Sequence, residues 1–391
     1  MNRRSFLGAS LASAAVAGAQ TRYDIVIKNG EIRDPAKDVR RRGDVAVLDG
    51  RIAAVEADIP AARAASVIDA KGSYITPGLV DLHTHCFWGA SFGVEPDPIA
   101  KRSGVTTWVD AGTFAHDQIE GFRKFVIDRS QVRIFGFVYL YPNSRNPDLD
   151  PVKYVRGLMR ATGRMIEANK DVVLGIKLQV GSNMNGRYSP EFLKIAREWC
   201  DAFRVQLMAH ISFSPPETDE VMPLMRSGDV VTHCYNTHGI GIVEKSGEIK
   251  ASVLDARKRG VKFDTGHGLG SFNFEIARKA MAAGFLPDTI STDIYNLNVK
   301  GPVFDMPTTM SKMLHLGMSF EDILLRTTVN AARIVNRVPG LGTLDVGAPA
   351  DLAVLAIEEG KFPLTDSQRN TVTADKRIVC RETICRGKRM A

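Results

Sequence analysis

The sequence contains few cysteines and no CxxC pair. Its five cysteines are an odd number, which disfavours both a zinc ribbon and a disulfide scaffold. Aromatic residues make up only 7% of the chain and are not interleaved with the scattered basic residues, although the formal net charge is +7. Nucleic-acid binding is therefore not expected, because it usually combines a basic surface with stacking aromatic side chains.

A long uninterrupted apolar run is present only at the N-terminus. Arg3 and Arg4 precede an apolar stretch at residues 6–17, and small residues then lead to Gln20. This pattern predicts a cleaved signal peptide at residues 1–19, and the twin arginine resembles a Tat export signal. The apolar stretch is about 12 residues long, whereas a spanning helix needs roughly 20. We expect a periplasmic or extracellular protein with no stable membrane insertion after cleavage, with a retained N-terminal anchor as the alternative.

The order of apolar runs predicts an α/β fold. Short β-type runs at residues 20–76 are separated by Asn29-Gly30 and Asp49-Gly50, which are hairpin signals. Further short runs follow in residues 343–391, so we expect a small β-sandwich domain built from both terminal segments. Residues 77–342 contain eight apolar runs separated by helical stretches, as in a parallel sheet. The eight runs are residues 79–85, 107–112, 132–139, 172–180, 205–211, 230–235, 262–266 and 289–294.

Eight such runs over this length predict a (β/α)8 TIM barrel. A doubly wound open sheet is the alternative. It is disfavoured because no glycine-rich phosphate-binding fingerprint follows the first run.

The first of these runs ends in two histidines separated by one residue, His83 and His85. Residues i and i+2 of a strand face the same side, and neutral imidazole is a preferred zinc ligand. We therefore expect both side chains to point into the mouth at the carboxyl end of the barrel, where TIM-barrel active sites lie.

Four further residues with suitable side chains lie near the ends of later runs: Lys177, His210, His233 and Asp293. Each alone has a structural explanation, as a cation at the barrel mouth, a hydrogen-bonded histidine or a helix cap. Taken together with the two histidines of the first run, they occupy predicted strands one, four, five, six and eight. This joint pattern favours a single metal centre.

The pattern resembles the amidohydrolase superfamily, in particular its branch of deacetylases, D-aminoacylases and dihydroorotases, over nearly the whole mature chain. The resemblance implies a binuclear metal centre. In it, His83 and His85 bind the first metal and His210 and His233 bind the second. Asp293 binds the first metal and also acts as the catalytic residue that shuttles protons.

The resemblance also implies that Lys177 is carbamylated and bridges both metals. A protonated lysine has donors and no acceptor, so it cannot bind a metal as it stands. A carbamate, formed with CO2, supplies two anionic oxygens. The expected cofactors are two divalent ions, for which zinc suits the histidine-rich donor set. A hydroxide between the ions would attack the carbonyl carbon, with Asp293 acting first as general base and then as general acid.

The expected activity is hydrolysis of an acyl amide, or of an O-acetyl ester, by a deacetylase-like enzyme acting on a small molecule. A cyclic-amide hydrolase of dihydroorotase or hydantoinase type is the alternative. A non-catalytic homologue is disfavoured, because such proteins usually lose ligands and this chain has all six. The sequence leaves open whether the protein is a homo-oligomer.

Three residues are predicted to contact the substrate. His267 lies in a glycine-rich segment, residues 266–272, that resembles the deacetylase-like branch, although a structural histidine in a tight loop is the alternative. Tyr235 ends the sixth run and His238 follows it, where substrate is expected to lie. His116 lies away from the predicted strand ends and is interpreted as structural.

Overall fold

The computed structural model describes residues 22–90, 92–140 and 149–390. The predicted signal peptide lies outside these ranges. Among the helices of the described residues, none combines the length and the apolar character needed to cross a bilayer.

The described residues form strands and helices that alternate through the middle of the chain. The strands are β1 (Tyr23–Asp34), β2 (Val39–Leu48), β3 (Arg51–Glu56), β4 (Ala64–Asp69), β5 (Tyr74–Pro77), β6 (Leu79–Thr84), β7 (Val105–Ala111), β8 (Arg133–Tyr139), β9 (Val173–Val180), β10 (Gln206–Ile211), β11 (Val230–Thr232), β12 (Lys262–Asp264), β13 (Leu352–Thr365), β14 (Thr371–Cys385) and β15 (Lys388–Arg389). The helices are α1 (Pro96–Ser103), α2 (Ile119–Phe125), α3 (Pro151–Gly157), α4 (Met159–Ala168), α5 (Ser189–Phe203), α6 (Thr218–Val221), α7 (Ala251–Lys258), α8 (Phe274–Ala282), α9 (Met306–His315), α10 (Phe320–Thr327) and α11 (Val329–Val335).

Strands β6 to β12 form a parallel sheet in which the spatial order follows the sequence order. Every residue of β6 and of β7 is buried, as expected for strands that are covered on both faces. Trp108, Ile176, Trp199 and Phe263 belong to the large apolar core that this sheet shares with its helices. Seven of the eight predicted runs thus contain a regular strand within the described residues.

The eighth predicted run, residues 289–294, does not form a regular strand. It makes two isolated parallel bridges, from Thr289 to Asp264 of β12 and from Ile294 to Thr84 of β6. Asp293 has a φ of +49°, which interrupts the extended backbone because a side chain disfavours this left-handed region. The segment therefore bridges both edges of the curled parallel sheet without a continuous ladder.

The two terminal segments form one mixed sheet, where the sequence predicts a β-sandwich. Its order in the described residues is β15-β14-β13-β5-β1-β2-β3, and β4 pairs with β1. Antiparallel pairing of β5 with β13 joins the two ends of the chain. The Thr383 hydroxyl of β14 donates to the Ala100 carbonyl of α1 at 2.9 Å, which attaches this sheet to the parallel-sheet unit.

One of the two predicted hairpin turns is a turn and the other is not. Asp49-Gly50 connects β2 to β3, with positive φ at both residues, as a type I′ turn requires. Asn29-Gly30 instead lies inside β1, where the pairing with β2 shifts register. Some bulges use the left-handed backbone that Asn29 adopts at φ +63°, as some turns do, so the dipeptide alone does not distinguish a bulge from a turn.

Candidate active site

Two histidines and an aspartate meet at the carboxyl end of the parallel sheet. Nε2 of His85 lies 3.1 Å from Oδ1 of Asp293, and Nε2 of His83 lies 3.3 Å from the same oxygen. One potential ligand atom from each of the three residues lies within 4.8 Å of the others. This spacing is short enough for one cation to bind all three.

The other three candidate ligands lie directly beside this group. Nζ of Lys177 is 3.1 Å from Nε2 of His83. The ring centroids of His83 and His233 are 5.0 Å apart, and those of His233 and His210 are 4.0 Å apart. The structure therefore brings all six side chains singled out by the sequence into one cluster.

Strand alternation directs Lys177 into this cluster. In β9, the neighbouring Ile176 and Leu178 are buried in the apolar core, whereas Lys177 and Gln179 line a cavity. Gly112 provides room for the lysine, because a Cβ at residue 112 would lie 2.8 Å from Cγ of Lys177. The position of the lysine thus follows from the two-residue period of a strand.

A hydrogen-bond chain fixes the tautomer of His83. The Thr232 hydroxyl donates to Oδ2 of the buried Asp264 at 2.8 Å. The Thr232 oxygen lies 2.8 Å from Nδ1 of His83, and since its only proton is already donated, it accepts from Nδ1–H. The lone pair of His83 is therefore on Nε2, which faces Asp293 and Lys177. Such outer partners orient metal-binding histidines.

His233 presents an unpaired lone pair to the same cluster. Its Nδ1–H donates to the Gly266 carbonyl at 2.7 Å. Its Nε2 is buried and has no hydrogen-bond partner among the described residues. An unpaired buried nitrogen is costly unless a ligand satisfies it, so the donor set fits a bound metal.

Burial keeps these side chains in forms that suit metal binding. It lowers the pKa of His233 to about 4 and those of His83 and His210 well below the usual value. Burial also lowers the pKa of Lys177 to about 8, although Asp293 and other carboxylates oppose the shift. The imidazoles of His83, His210 and His233 are therefore neutral near pH 7, and the lysine is deprotonated more readily than in water.

Two of the candidate ligands have left-handed backbone. His233 has φ +72° and Asp293 has φ +49°, a region that costs free energy for residues with a side chain. The amide of Asp293 donates to the His83 carbonyl at 2.7 Å, and the Asn298 side chain donates to the Asp293 carbonyl at 2.8 Å. These bonds hold Asp293 in the conformation that points its carboxylate at the histidines.

A cavity of about 1350 Å³ opens onto the cluster. His85, Lys177, His210 and Asp293 line its floor. Typical small-molecule pockets have volumes of roughly 300–1,000 Å³, so this cavity has room for a substrate of considerable size.

The three residues predicted to contact substrate have different positions. His238 lines the cavity, stacked on Phe213 with ring centroids 4.1 Å apart. Tyr235 is fully buried and its hydroxyl donates to the Phe285 carbonyl at 3.2 Å. Neither Tyr235 nor His267 is among the described residues that line the cavity.

His267 is engaged at both ring nitrogens. Its Nδ1–H donates to the Gly268 carbonyl at 2.8 Å, and its Nε2 accepts from Nζ of the buried Lys312 at 2.7 Å. This geometry favours the structural role that the sequence left open as the alternative.

Sequence reasoning missed several residues at the site. Thr232 and Asp264 orient His83, and Tyr295 and His116 line the cavity. Asp264 lies in the seventh predicted run, residues 262–266, and ends strand β12, so the strand-end criterion used for the ligands also applied to it. No comparable signal identified His116, which lies in a loop after β7 and was interpreted as structural.

Comparisons with known proteins agree with this geometry. The family model described as the amidohydrolase family matches residues 74–390. A deacetylase from Enterococcus faecalis is 33% identical over 373 residues, which cover 94% of this chain and 98% of the relative. A crystal structure of an adenine deaminase has a TM-score of 0.84 at 33% identity, over 94% of this chain and 99% of the other. A crystal structure of a dihydroorotase has a TM-score of 0.83 at 30% identity, over 94% of this chain and 97% of the other.

Proposed function

The chain belongs to the amidohydrolase family, and we propose that it is a metal-dependent hydrolase that removes the acyl group from an N-acyl amide or an O-acetyl ester. One observation carries the proposal. The six candidate ligands form one cluster that includes the unpaired Nε2 of His233, and four of them, His85, Lys177, His210 and Asp293, line a single cavity. The likeness to a deacetylase supports the choice of reaction.

A cyclic-amide hydrolase is the second candidate. It is favoured by the likeness to a dihydroorotase structure, which covers most of both chains at 30% identity. The two candidates share the cluster and differ in the substrate that the cavity walls accept.

We propose that the residues hold two divalent ions, with zinc suiting the histidine-rich donors. His83, His85 and Asp293 would hold one ion, His210 and His233 would hold the other, and a carbamate on Lys177 would join them. When bound, such ions polarise a substrate carbonyl and make hydroxide available near neutral pH.

Asp293 is the side chain that we propose transfers the proton. Oδ1 faces Nε2 of His83 and Nε2 of His85, and Oδ2 is the oxygen that would take up a proton and deliver it to the leaving group. Thr232 and Asp264 keep the lone pair of His83 on Nε2. Lys177 contributes through the carbamate, since neither its ammonium nor its amine can bridge two ions.

The closed barrel and the export route are also proposals. The bridges of residues 289–294 to both sheet edges support an eight-membered (β/α)8 barrel. The composition of residues 1–19 supports export to the periplasm or the extracellular space by the Tat route.

The proposed function is tested with metal-loaded protein on acyl amides, acyl esters and cyclic imides. His85→Ala should lose metal, measured by elemental analysis, together with turnover. His315→Ala serves as a control because His315 lies on α9, outside the described cavity lining. Turnover of cyclic imides alone would establish the second candidate. If fully metal-loaded protein hydrolysed none of the three classes, both candidates would be refuted.

A further inference from the structure

A band of apolar side chains begins at the candidate metal centre, and it consists of Phe92, Tyr295, Leu269, Phe213 and Met184. The ring of Phe92 lies against His85, with centroids 4.8 Å apart, and Tyr295 meets Phe92 edge-on at 6.2 Å. All three residues line the cavity. The floor of the cavity is therefore continuous with an apolar wall.

The band continues to the mouth through Leu269, Phe213 and Met184. Phe213 stacks on His238, and a Cβ at Gly270, the residue after Leu269, would lie 3.8 Å from Nε2 of His238. The Phe213 carbonyl accepts from the Ser182 amide at 2.9 Å, which holds the loop that carries Met184 alongside.

The outer side chains of the band are unusually exposed for their type. Met184, Phe213 and Leu269 are 41%, 44% and 40% exposed, and all three line the cavity. Scattered apolar residues on a surface need no explanation, but apolar side chains that line one cavity together indicate a binding surface. A substrate that extends from the metal centre to the mouth would cover it.

The position of Asp293 indicates which part of the substrate lies on the band. Tyr295 follows Asp293 by two residues, and Gly268, next to Leu269, abuts Oδ2 of Asp293. In the proposed reaction, the water oxygen joins the acyl carbon, the bond to the leaving nitrogen or oxygen breaks, and Asp293 protonates that leaving atom. The leaving group therefore departs next to the residues that begin the band.

We propose that Phe92, Tyr295, Leu269, Phe213 and Met184 form a subsite for an apolar leaving group. This inference rests on the proposed function. The enzyme would act on a short acyl group attached to an amine or alcohol that carries an alkyl or aryl chain long enough to reach the cavity mouth.

The test uses N-acetyl derivatives of linear alkylamines with two to eight carbons. These amines differ little in basicity, so the intrinsic reactivity of the amide stays nearly constant along the series. Each methylene that leaves water should raise kcat/KM by about fourfold, mainly through KM, because this binding is shared by the ground state and the transition state. A kcat/KM that did not change with chain length would overturn the proposal.

Two leucines of nearly equal exposure provide a matched pair of variants. Leu269→Ser should weaken the dependence of kcat/KM on chain length, since part of the outer band is lost. The kcat/KM of the shortest substrate, which does not reach Leu269, should stay within about threefold of the wild-type value. Leu254→Ser should leave the whole series unchanged, because Leu254 is 43% exposed on α7 and does not line the cavity. Equal effects of both substitutions would count against the subsite.

Binding of unreactive analogues separates this proposal from the proposed function. Calorimetry with N-alkyl methanesulfonamides, which cannot be hydrolysed as amides are, should show affinity rising by about fourfold per methylene, whether or not acetyl amides are turned over. Turnover without this rise would refute the subsite alone. The rise without turnover of any acyl compound would refute the reaction and support the subsite.

Discussion

Gly268 lies directly against the carboxylate of Asp293. A Cβ at residue 268 would come within 2.3 Å of Oδ2 of Asp293, and the glycine has a φ of +55°. Both the backbone conformation and the space beside the carboxylate therefore call for a residue without a side chain. Because Oδ2 is the proposed proton carrier, we expect the glycine to be required for activity.

Replacing Gly268 with alanine should displace the Asp293 carboxylate from its present position. We expect kcat to fall by about 100-fold, since a displacement of about 1 Å at reacting groups has effects of this size. The left-handed backbone should also cost about 1–2 kcal/mol of unfolding free energy. Steady-state kinetics and thermal unfolding measure the two effects separately.

Gly270→Ala provides the control for this substitution. Gly270 lies in the same loop without a positive φ, and a Cβ there would have only an ordinary contact with His238. It should therefore retain kcat. Comparable losses in both variants would show that the loop tolerates no side chain at all, and Gly268 would have no special relation to Asp293.

Thr232 is expected to affect metal affinity without binding metal. Thr232→Val removes the acceptor for Nδ1–H of His83 and leaves Asp264 without one of its donors. Loss of such an outer partner typically weakens metal binding by about 10–100-fold, which competition with a chromophoric chelator would measure. Thr232→Ser keeps the hydroxyl and should restore most of the affinity. An unchanged affinity in the valine variant would refute the orienting role.

The sequence predicts which six side chains lie together because their positions depend on short-range regularities. His83 and His85 share a side of the strand through the two-residue period. Lys177 lies in the second half of β9 and His210 next to the end of β10, in apolar runs that the sequence locates to within a residue or two. The parallel order of the strands then brings these ends together. Local pattern and fold class together are sufficient for this part of the site.

The parts that sequence reasoning missed depend on long-range packing. The role of Thr232 comes from its position between His83 and Asp264, residues that come from three different strands. His267 pairs with Lys312, which is 45 residues away in the chain. The irregular eighth strand follows from the left-handed backbone at Asp293, which the identity of a single residue does not specify.

Asp293→Asn should separate proton transfer from metal binding. An amide oxygen can still bind a metal, but the side chain cannot accept and return a proton, so kcat should fall by about 10²–10⁴-fold. Elemental analysis should find most of the metal retained. Asp117→Asn is the control, since Asp117 is an exposed carboxylate on the cavity wall. If Asp293→Asn kept the wild-type kcat, Asp293 would act only as a metal ligand.

The N-terminus of the exported protein tests the proposed signal peptide. We expect mass spectrometry of the secreted or periplasmic protein to find Gln20 at or near the first position. Replacing both Arg3 and Arg4 with lysine should keep the protein in the cytoplasm, because the twin arginine marks the Tat route. Exported protein that retains Met1 would instead support an N-terminal anchor.

The proposed carbamate on Lys177 gives the sharpest test of the metal centre. Carbamylation requires the neutral amine, and burial favours that form by lowering the pKa of Lys177 to about 8. Lys177→Ala should lose the bridge, bind less metal and lose nearly all activity. Short carboxylic acids added in solution should restore part of the activity by occupying the space that the side chain leaves.

Lys177→Arg distinguishes the carbamate from a simple positive charge. Arginine keeps the charge and much of the length, but its guanidinium stays protonated and cannot take up CO2. We therefore expect a variant as inactive as the alanine variant, with no rescue by carboxylic acids because the side chain still fills the space. Lys376→Ala, in the mixed terminal sheet, should behave as the wild type. If Lys177→Arg retained both the metal content and the turnover of the wild type, Lys177 would be a cation that lines the cavity and not a bridging ligand.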